Sequence, residues 1–309
     1  MRTSTLVALA VSLSFPCGCG KKPTESDDTP IRRTAPPPAA TPSGSPSGGA
    51  ANPTPAAAPA VQIAERAVKA GWMPDGKRWI RAFKFSLPTG APTGASWADA
   101  RKACISSGLD LCTEDQWSVA CSLDSTVGSA PSWTVTPGTD GWVVRGGAGC
   151  ASSAEADGAT TAPGRVGLCC ERGAAISSTK KGDGLVKAAD VYVGLVEDAL
   201  NSTSPQKIID LIADPAKLFK TEMTHEQALK DLRADAQKYA EWNYRLLRCD
   251  ADVGADAGSF ECDTVETRVP KGQTRELSVF RMRFEYGPPR LKYSVFADPV
   301  RIMRKWSAY

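Results

Sequence analysis

The sequence predicts an α+β fold placed behind an export signal and a low-complexity tether. A short apolar run near Met1 ends at two cysteines, the next forty or so residues are rich in Pro, Ala, Gly and Ser, and helix-type and strand-type patterns begin only after them. Late in the chain, helices come first and a run of strands follows. The predicted parts are a signal peptide (1–18), a tether (19–62), a first folded segment (63–177), a linker (178–183) and a second folded segment (184–309).

Composition narrows the functional classes. The 309 residues carry a formal net charge of +3, with acids and bases interspersed. The sequence has no basic stripe of the kind that binds nucleic acid, so nucleic acid is not expected as a partner. The chain has ten cysteines but a single histidine, His225. Zinc sites and Ser-His or Cys-His catalysis usually need more imidazole, whereas exported chains use cysteines for disulfides. We therefore expect disulfides and no metal site.

The N-terminus is typical of a bacterial lipoprotein. Leu6–Phe15 is an apolar segment of signal-peptide length, and it is followed by Cys17 and Cys19. Gly18 is the small residue expected before a lipidated cysteine, so Cys19 is the predicted lipidation site and Cys17 the alternative. Cleavage before Cys19 leaves eight further cysteines, which can all pair. An ordinary soluble secreted protein is the competing interpretation.

The segment after Cys19 has the composition of a flexible tether between the lipid anchor and the folded part. From Lys21 to Ala60 almost no residue is large and apolar, so the segment cannot offset its ordering entropy and is expected to be a flexible tether. Gly20, rather than an acidic residue, follows Cys19 and favours the outer membrane. The predicted partner is therefore a lipid bilayer, reached through the N-terminal lipid anchor.

The first folded segment carries clear local signals. Val61–Lys69 is expected to be a short lead-in helix, and the alternation in Trp79–Phe85 predicts a strand. Ser96 with Asp99, and Thr113 with Gln116, have the spacing of helix N-caps, so two helices are predicted there. Short Gly-flanked strands are expected at Ser132–Val135 and Trp142–Gly147.

Four motifs in this segment resemble a known family. They are Ser96–Ala100, Leu111–Trp117, Val144–Gly147 and Gly167–Cys170, and they occur in the order found in the sulfatase-modifying factor (formylglycine-generating enzyme) family. The resemblance implies a small, disulfide-bonded variant of the C-type lectin fold. It also implies an oxidase that converts a substrate cysteine to formylglycine with copper held by two cysteines.

The chain departs from that family where the chemistry would occur. Five residues after Cys150, where the enzymes carry their second cysteine, this sequence has Glu155. One thiol cannot form a two-sulfur copper site, and neither a histidine cluster nor a Glu-Pro-Asn type calcium loop is present. No catalytic residue, metal or cofactor is therefore predicted; the alternative is catalysis through Cys150 with copper.

The spacing of the cysteines limits their pairing. Cys169 and Cys170 are adjacent on a predicted strand, point to opposite faces and should have different partners. Cys112 and Cys121 lie roughly 12 Å apart along a helix, too far to bond to each other. The resemblance to lectin-like folds implies a bond from Cys104 to the closing strand, with Cys170 favoured. The remaining pairings stay open, and the predicted disulfide cysteines are Cys104, Cys112, Cys121, Cys150, Cys169, Cys170, Cys249 and Cys262.

The second segment begins with helix patterns. Apolar residues fill Val186–Leu200, Ser204–Pro205 opens a second helix, and Thr224 with Gln227 caps a third. Cys249 and Cys262 end one strand and open the next, so a disulfide across that hairpin is expected. The predicted strands are Trp242–Cys249, Phe260–Val269, Leu277–Tyr286, Leu291–Ala297 and Val300–Trp306.

This order resembles the nuclear transport factor two-like (ketosteroid isomerase-like) cone, in which a curved sheet wraps a long helix. The most similar stretch is the third helix with Tyr239–Leu246. The resemblance implies a cone-shaped second domain but no particular activity. The stripe of Phe280, Met282, Phe284 and Tyr286 is interpreted as core, and His225 is expected to face solvent.

Together these features predict a cell-envelope lipoprotein with a non-catalytic first module and a cone-shaped second one. It would bind or scaffold an envelope protein or ligand outside the cytoplasm. Two alternatives stay open: a formylglycine-generating-type oxidase or small-molecule enzyme, and a purely structural envelope component.

Overall fold

The computed structural model describes residues 63–87, 93–178, 183–218, 221–253, 258–273 and 276–286. These residues belong to one compact unit. The predictions for Cys17, Cys19 and the tether lie outside the described residues, as do the predicted strands Leu291–Ala297 and Val300–Trp306.

The described chain is α+β, as the sequence predicts, with five α-helices and sixteen strands. The helices are α1 (Trp97–Ser106), α2 (Glu114–Leu123), α3 (Asp183–Leu200), α4 (Gln206–Leu211) and α5 (His225–Lys238). The strands before α3 are β1 (Arg66–Val68), β2 (Gly71–Trp72), β3 (Arg78–Ile80), β4 (Phe83–Ser86), β5 (Asp110–Leu111), β6 (Ser132–Pro137), β7 (Trp142–Arg145), β8 (Ser153–Ala156), β9 (Val166–Gly167), β10 (Cys169–Cys170) and β11 (Ala175–Ser178). The later strands are β12 (Ala216–Leu218), β13 (Thr221–Met223), β14 (Tyr239–Val253), β15 (Gly258–Pro270) and β16 (Glu276–Tyr286).

Three helices begin where the sequence predicts. The Ser96 side chain accepts from the Asp99 N–H ahead of α1. Thr113 and Thr224 each form a reciprocal capping box, with Gln116 and Gln227, at the start of α2 and α5. These bonds satisfy backbone N–H groups that a helix start leaves without partners, which is why the local pattern is informative.

One sheet connects the two predicted segments. Its six strands run in the order β16-β15-β14-β11-β3-β2. Strand β11 provides the connection, because it pairs antiparallel with β3 on one side and parallel with β14 on the other. The predicted linker therefore follows a strand whose two neighbours come from different segments. The division into two domains stays a prediction.

The buried core also crosses the linker. Trp97 and Trp142 stack with ring centroids 3.8 Å apart, and the cluster around them contains Leu247, Val265 and Leu277 from β14, β15 and β16. A second cluster places Trp79 of β3 against the buried face of α3 and the inner face of β14–β16. Burying this much apolar surface between the segments stabilises their association.

Met282 and Phe284 lie in that second cluster, and Phe280 packs partly buried against it. The interpretation of this stripe as core is therefore confirmed for those three residues. The side chain of Tyr286 lies outside the described part.

Two local predictions in the first segment are wrong. Of the predicted helix Val61–Lys69, the described part contains strand β1, because Arg66–Val68 pairs with β4. The Leu87 N–H, just after β4, also donates to Ile63 O at 3.1 Å. The predicted strand Trp79–Phe85 is two strands, β3 and β4, that belong to different sheets. In both cases pairing with distant backbone overrides the local pattern.

His225 also differs from its prediction. Its ring is partly buried, and Nε2 lies 3.1 Å and 3.0 Å from the carbonyl oxygens of Ile212 and Ala213. A ring N–H that donates to these carbonyls fastens the start of α5 to the segment that follows α4, so the side chain has a structural partner rather than facing solvent.

All eight cysteines of the described residues form disulfides. The pairs are Cys104–Cys169, Cys112–Cys170, Cys121–Cys150 and Cys249–Cys262. The predicted hairpin bond is confirmed, as are the different partners of the adjacent cysteines and the absence of a Cys112–Cys121 bond.

The favoured partner of Cys104 was wrong, because Cys104 bonds Cys169 and not Cys170. Strand β10 lies between β4 and β5, and its two cysteines face opposite sides. Cys169 faces the core beneath α1, where Cys104 lies. Cys170 faces the core that contains Cys112 and Trp117.

Candidate functional site

Cys150, the alternative catalytic residue, lies in the loop between β7 and β8 and is bonded to Cys121 of α2. Glu155, which lies where the resemblance predicts the enzymes' second cysteine, is on β8. Its carboxylate accepts from the backbone N–H groups of Thr139 (2.9 Å) and Asp140 (3.1 Å). These bonds lower the pKa of Glu155. The structure therefore gives Glu155 the role of fastening the β6–β7 turn.

Across the described ranges, no group of three or more His, Cys, Asp or Glu side chains is arranged to hold a metal ion. A cluster of charged and polar side chains is instead buried between the two segments. We call it the buried junction, and it comprises Arg101, Asp110, Gln116, Glu197 and Arg245.

Arg245 is the centre of the buried junction. It lies on β14 and is 0% exposed. Its Nη1 donates to Glu197 Oε1 of α3 at 3.3 Å, and its Nη2 donates to Gln116 Oε1 of α2 at 2.6 Å. The same Nη2 lies 3.5 Å from the carbonyl oxygen of Glu171. One guanidinium thus joins α3 of the second segment to α2 and to the strand end of the first.

Gln116 has two functions. Its Oε1 accepts from the Thr113 N–H in the capping box and from Arg245, while its Nε2 donates to Glu171 O at 2.8 Å. The residue that starts α2 is therefore also the contact between that helix and β14.

Glu197 of α3 is the carboxylate that pairs with Arg245. Its Oε1 also accepts from the Leu246 N–H at 2.9 Å, whereas its Oε2 and Arg245 Nε have no hydrogen-bond partner within the described part of the chain. Burial raises the pKa of Glu197, opposed by the positive charge of Arg245 and by the Leu246 bond. Burial likewise lowers the pKa of Arg245. Removing both ions from water therefore disfavours their charged forms.

Arg101 makes a second connection through the buried junction. Its Nε and Nη2 donate to the two carboxylate oxygens of Asp110 at 2.8 Å and 2.9 Å, and its Nη1 donates to Thr267 Oγ1 of β15 at 2.6 Å. Burial alone would raise the pKa of Asp110, but the charge and hydrogen bonds of Arg101 outweigh it and lower that pKa. A bidentate arginine–carboxylate hydrogen bond is strong and directional.

A more exposed ion-pair set continues the junction toward solvent. Arg248 of β14 donates to both oxygens of Asp115, at 2.7 Å and 2.9 Å, and Asp115 also bonds Arg78 of β3. The pKa of Arg248 is raised, chiefly by its hydrogen bond with Asp115. Asp115 of α2 therefore contacts strands from both segments.

These contacts join the two segments of the chain. Asp110 and Glu197, the two carboxylates of the junction, each accept from an arginine and from a backbone N–H. The sequence predictions omitted this cluster, because isolated Arg and Glu residues usually indicate a solvated face. One signal was present: Glu197 falls on the helix face of Val193 and Leu200, which are core-type residues.

Comparison with known proteins finds no matching family model and no matching curated protein. Among solved structures, one from Novosphingobium aromaticivorans with a provisional assignment as an aromatic ring hydroxylase is similar at a TM-score of 0.36 and 11% identity, covering 42% of this chain and 96% of that one. A similarity at this level supports no argument about fold or function. In the part that the structure describes, no helix is both long and apolar enough to cross a membrane.

Proposed function

We propose that this chain is a lipid-anchored protein of the bacterial cell envelope, whose folded part binds or scaffolds another envelope component without catalysing a reaction. The observation that carries the proposal is the pairing of all eight cysteines of the described residues in four disulfides. Disulfides of this number form and persist in oxidising compartments outside the cytoplasm.

The anchor is part of the proposal. Cys19 would carry the lipid, with Cys17 as the alternative, and Gly20 favours the outer membrane. The tether would keep the folded part clear of the membrane surface, since about forty coil residues reach roughly 35 Å from end to end.

The absence of catalysis is supported by the state of Cys150. While its sulfur is bonded to Cys121, it offers no thiolate to copper or to a substrate. The resemblances to the sulfatase-modifying factor family and to the nuclear transport factor two-like cone belong to the proposal as well. They would make the folded part a lectin-like module joined to a cone.

The structure supports a rigid platform for binding. Three buried disulfides hold the fold, and Arg101 and Arg245 each bond residues from both segments. A preorganised surface loses less conformational entropy when it binds a partner. This favours a presenting or scaffolding role over one that needs the segments to move apart.

The first experiment isolates the protein from membranes and maps its N-terminus by mass spectrometry. We expect a diacyl or triacyl modification on Cys19 and loss of membrane association in a Cys19→Ser variant, while Cys17→Ser behaves as the wild type. An unmodified N-terminus, or a soluble wild-type protein, would disprove the anchor.

The second experiment tests catalysis with the oxidised protein. We expect no stoichiometric copper binding by titration and no conversion of a cysteine-containing sulfatase peptide to formylglycine. Copper binding that a Cys150→Ser variant abolishes would establish the oxidase alternative instead.

A further inference from the structure

The four disulfides differ in their access to solvent. In three of them both cysteines are fully buried: Cys104–Cys169, Cys112–Cys170 and Cys249–Cys262. In the fourth, Cys121 is buried but Cys150 is partly exposed. Thiol–disulfide exchange requires a thiolate to reach a sulfur, so access separates the fourth bond from the others.

The fourth disulfide is attached to a glycine-rich loop. The glycine loop (146–152) joins β7 to β8, and Gly146, Gly147 and Gly149 have φ values of +86°, +89° and +105°. Glycine reaches such angles readily but has the most conformational freedom to lose on ordering. The loop is closed on itself by two bonds, from the Gly146 N–H to Ser152 O and from the Ser152 N–H to Gly149 O.

The backbone of Gly128 is one of the places at which the loop is fastened to the rest of the fold. The N–H groups of Gly147 and Gly149 both donate to Gly128 O, at 3.0 Å and 3.1 Å. A Cβ added at Gly128 would lie 2.9 Å from Cys150 N and 3.1 Å from Cys121 Sγ. The disulfide and the loop therefore pack directly against the backbone of Gly128, which lies in a 3-10 turn after α2.

The positively charged side chain of Arg145 lies beside Cys150, the partly exposed cysteine of this disulfide. Arg145 Nη2 donates to the carbonyl oxygen of Cys150 at 3.0 Å, and the Arg145 guanidinium lies over the Trp117 ring at 5.2 Å from its centroid. Positive charge near a cysteine favours its thiolate form. Glu114 partly balances that charge, with an oxygen 3.6 Å from Arg145 Nη1.

We propose that Cys121–Cys150 is a thiol-exchange site, at which an external dithiol reductant releases the glycine loop while the other three disulfides stay closed. The attacking thiolate bonds Cys150 Sγ and breaks the S–S bond, and Cys121 leaves as a thiolate that takes up a proton. The second thiol of the reductant then attacks the reductant's own sulfur in the mixed disulfide, and Cys150 leaves as a thiolate that takes up a proton. The products are two cysteine thiols and an oxidised dithiol, so two electrons and two protons pass from reductant to protein.

This site is independent of the proposed lipid anchor and binding role. Its consequence is local: the strands on either side of the loop keep their pairing, because β7 bonds both β6 and β8. Only the loop and its contacts with Gly128 would be released.

The test uses the full mature chain under native conditions. It is incubated with dithiothreitol or a thioredoxin-type dithiol protein, sampled over time, alkylated and mapped by mass spectrometry. We expect Cys121 and Cys150 to be labelled first, about tenfold faster than any other cysteine, because the buried pairs require an opening of the fold. Hydrogen exchange in 146–152 should rise while the far-ultraviolet circular dichroism, which reports secondary structure, stays unchanged.

A matched control is the Cys249→Ser, Cys262→Ser double variant, which removes a fully buried disulfide and should leave the labelling rate at Cys150 unchanged. The proposal is overturned if another pair opens first or at the same rate. It is equally overturned if Cys121–Cys150 opens only when the circular dichroism signal is lost, or if its opening leaves hydrogen exchange in the loop unchanged.

Discussion

Replacing Arg245 should destabilise the protein through the charge it leaves behind. An Arg245→Met change removes three contacts, but two of the acceptors keep another donor: Gln116 Oε1 keeps the Thr113 N–H, and Glu171 O keeps Gln116 Nε2. The group left without its counter-charge is Glu197, 1% exposed. Breaking a buried ion pair from one side costs about 3–5 kcal/mol, so we expect the free energy of unfolding to fall by that amount.

The same reasoning predicts a partial rescue. Adding Glu197→Gln to Arg245→Met removes the orphaned charge and keeps an oxygen for the Leu246 N–H. The double variant should therefore be more stable than Arg245→Met alone by about 2 kcal/mol. Urea unfolding of the oxidised protein, followed by tryptophan fluorescence, measures each free energy from the midpoint and slope.

The control is an exposed ion pair, Lys84 with Glu65, at 3.2 Å and with both side chains more than half exposed. Lys84→Met should change the free energy of unfolding by about 0.5 kcal/mol or less. The reasoning is refuted if Arg245→Met costs no more than this control, or if the second change at Glu197 adds to the loss instead of reversing part of it.

Three further predictions concern Asp110 of the buried junction, Gly128 and the Cys249–Cys262 disulfide. The pKa of Asp110 is lowered in the folded state, so its ionised carboxylate stabilises the fold at neutral pH, and this stabilisation is lost as the pH falls through the lowered pKa. Asp110→Asn should therefore lower the melting temperature at pH 7. The melting temperature of the variant should also decline less steeply toward pH 3 than that of the wild type. Gly128→Ala, where a Cβ would meet backbone at 2.9 Å, should cost about 1–3 kcal/mol in urea unfolding, whereas Gly71→Ala, with nothing within 4 Å, should be near neutral. Replacing Cys249 and Cys262 with Ala should cost about 3 kcal/mol, from the loop entropy that their bond removes from the unfolded chain; an unchanged unfolding midpoint would contradict this.

The buried junction also bears on how the chain achieves a single arrangement. Apolar contacts between the segments, such as those of Leu247 and Val265 with the Trp97 cluster, are favourable in many orientations. The bonds of Arg245 and Arg101 are directional, and a misplaced segment would leave their charges buried without partners. We infer that the apolar core supplies most of the stability and that the junction selects the arrangement.

The sequence by itself determined the features that depend on short separations. The caps at Ser96, Thr113 and Thr224 start their helices because each side chain bonds an N–H only three residues away. The Cys249–Cys262 bond follows from a hairpin that brings neighbouring strands together. The α+β class followed from the order of these local patterns.

Only the tertiary structure decided what depends on distant pairing. Cys104 bonds Cys169 because α1 covers one face of β10, and β1 is a strand because β4 presents an edge to it. The contact of Arg245 with Gln116 joins residues 129 positions apart. Local spacing cannot encode such contacts, because the free energy that selects them comes from burial and hydrogen bonding between surfaces that meet only after the chain has folded.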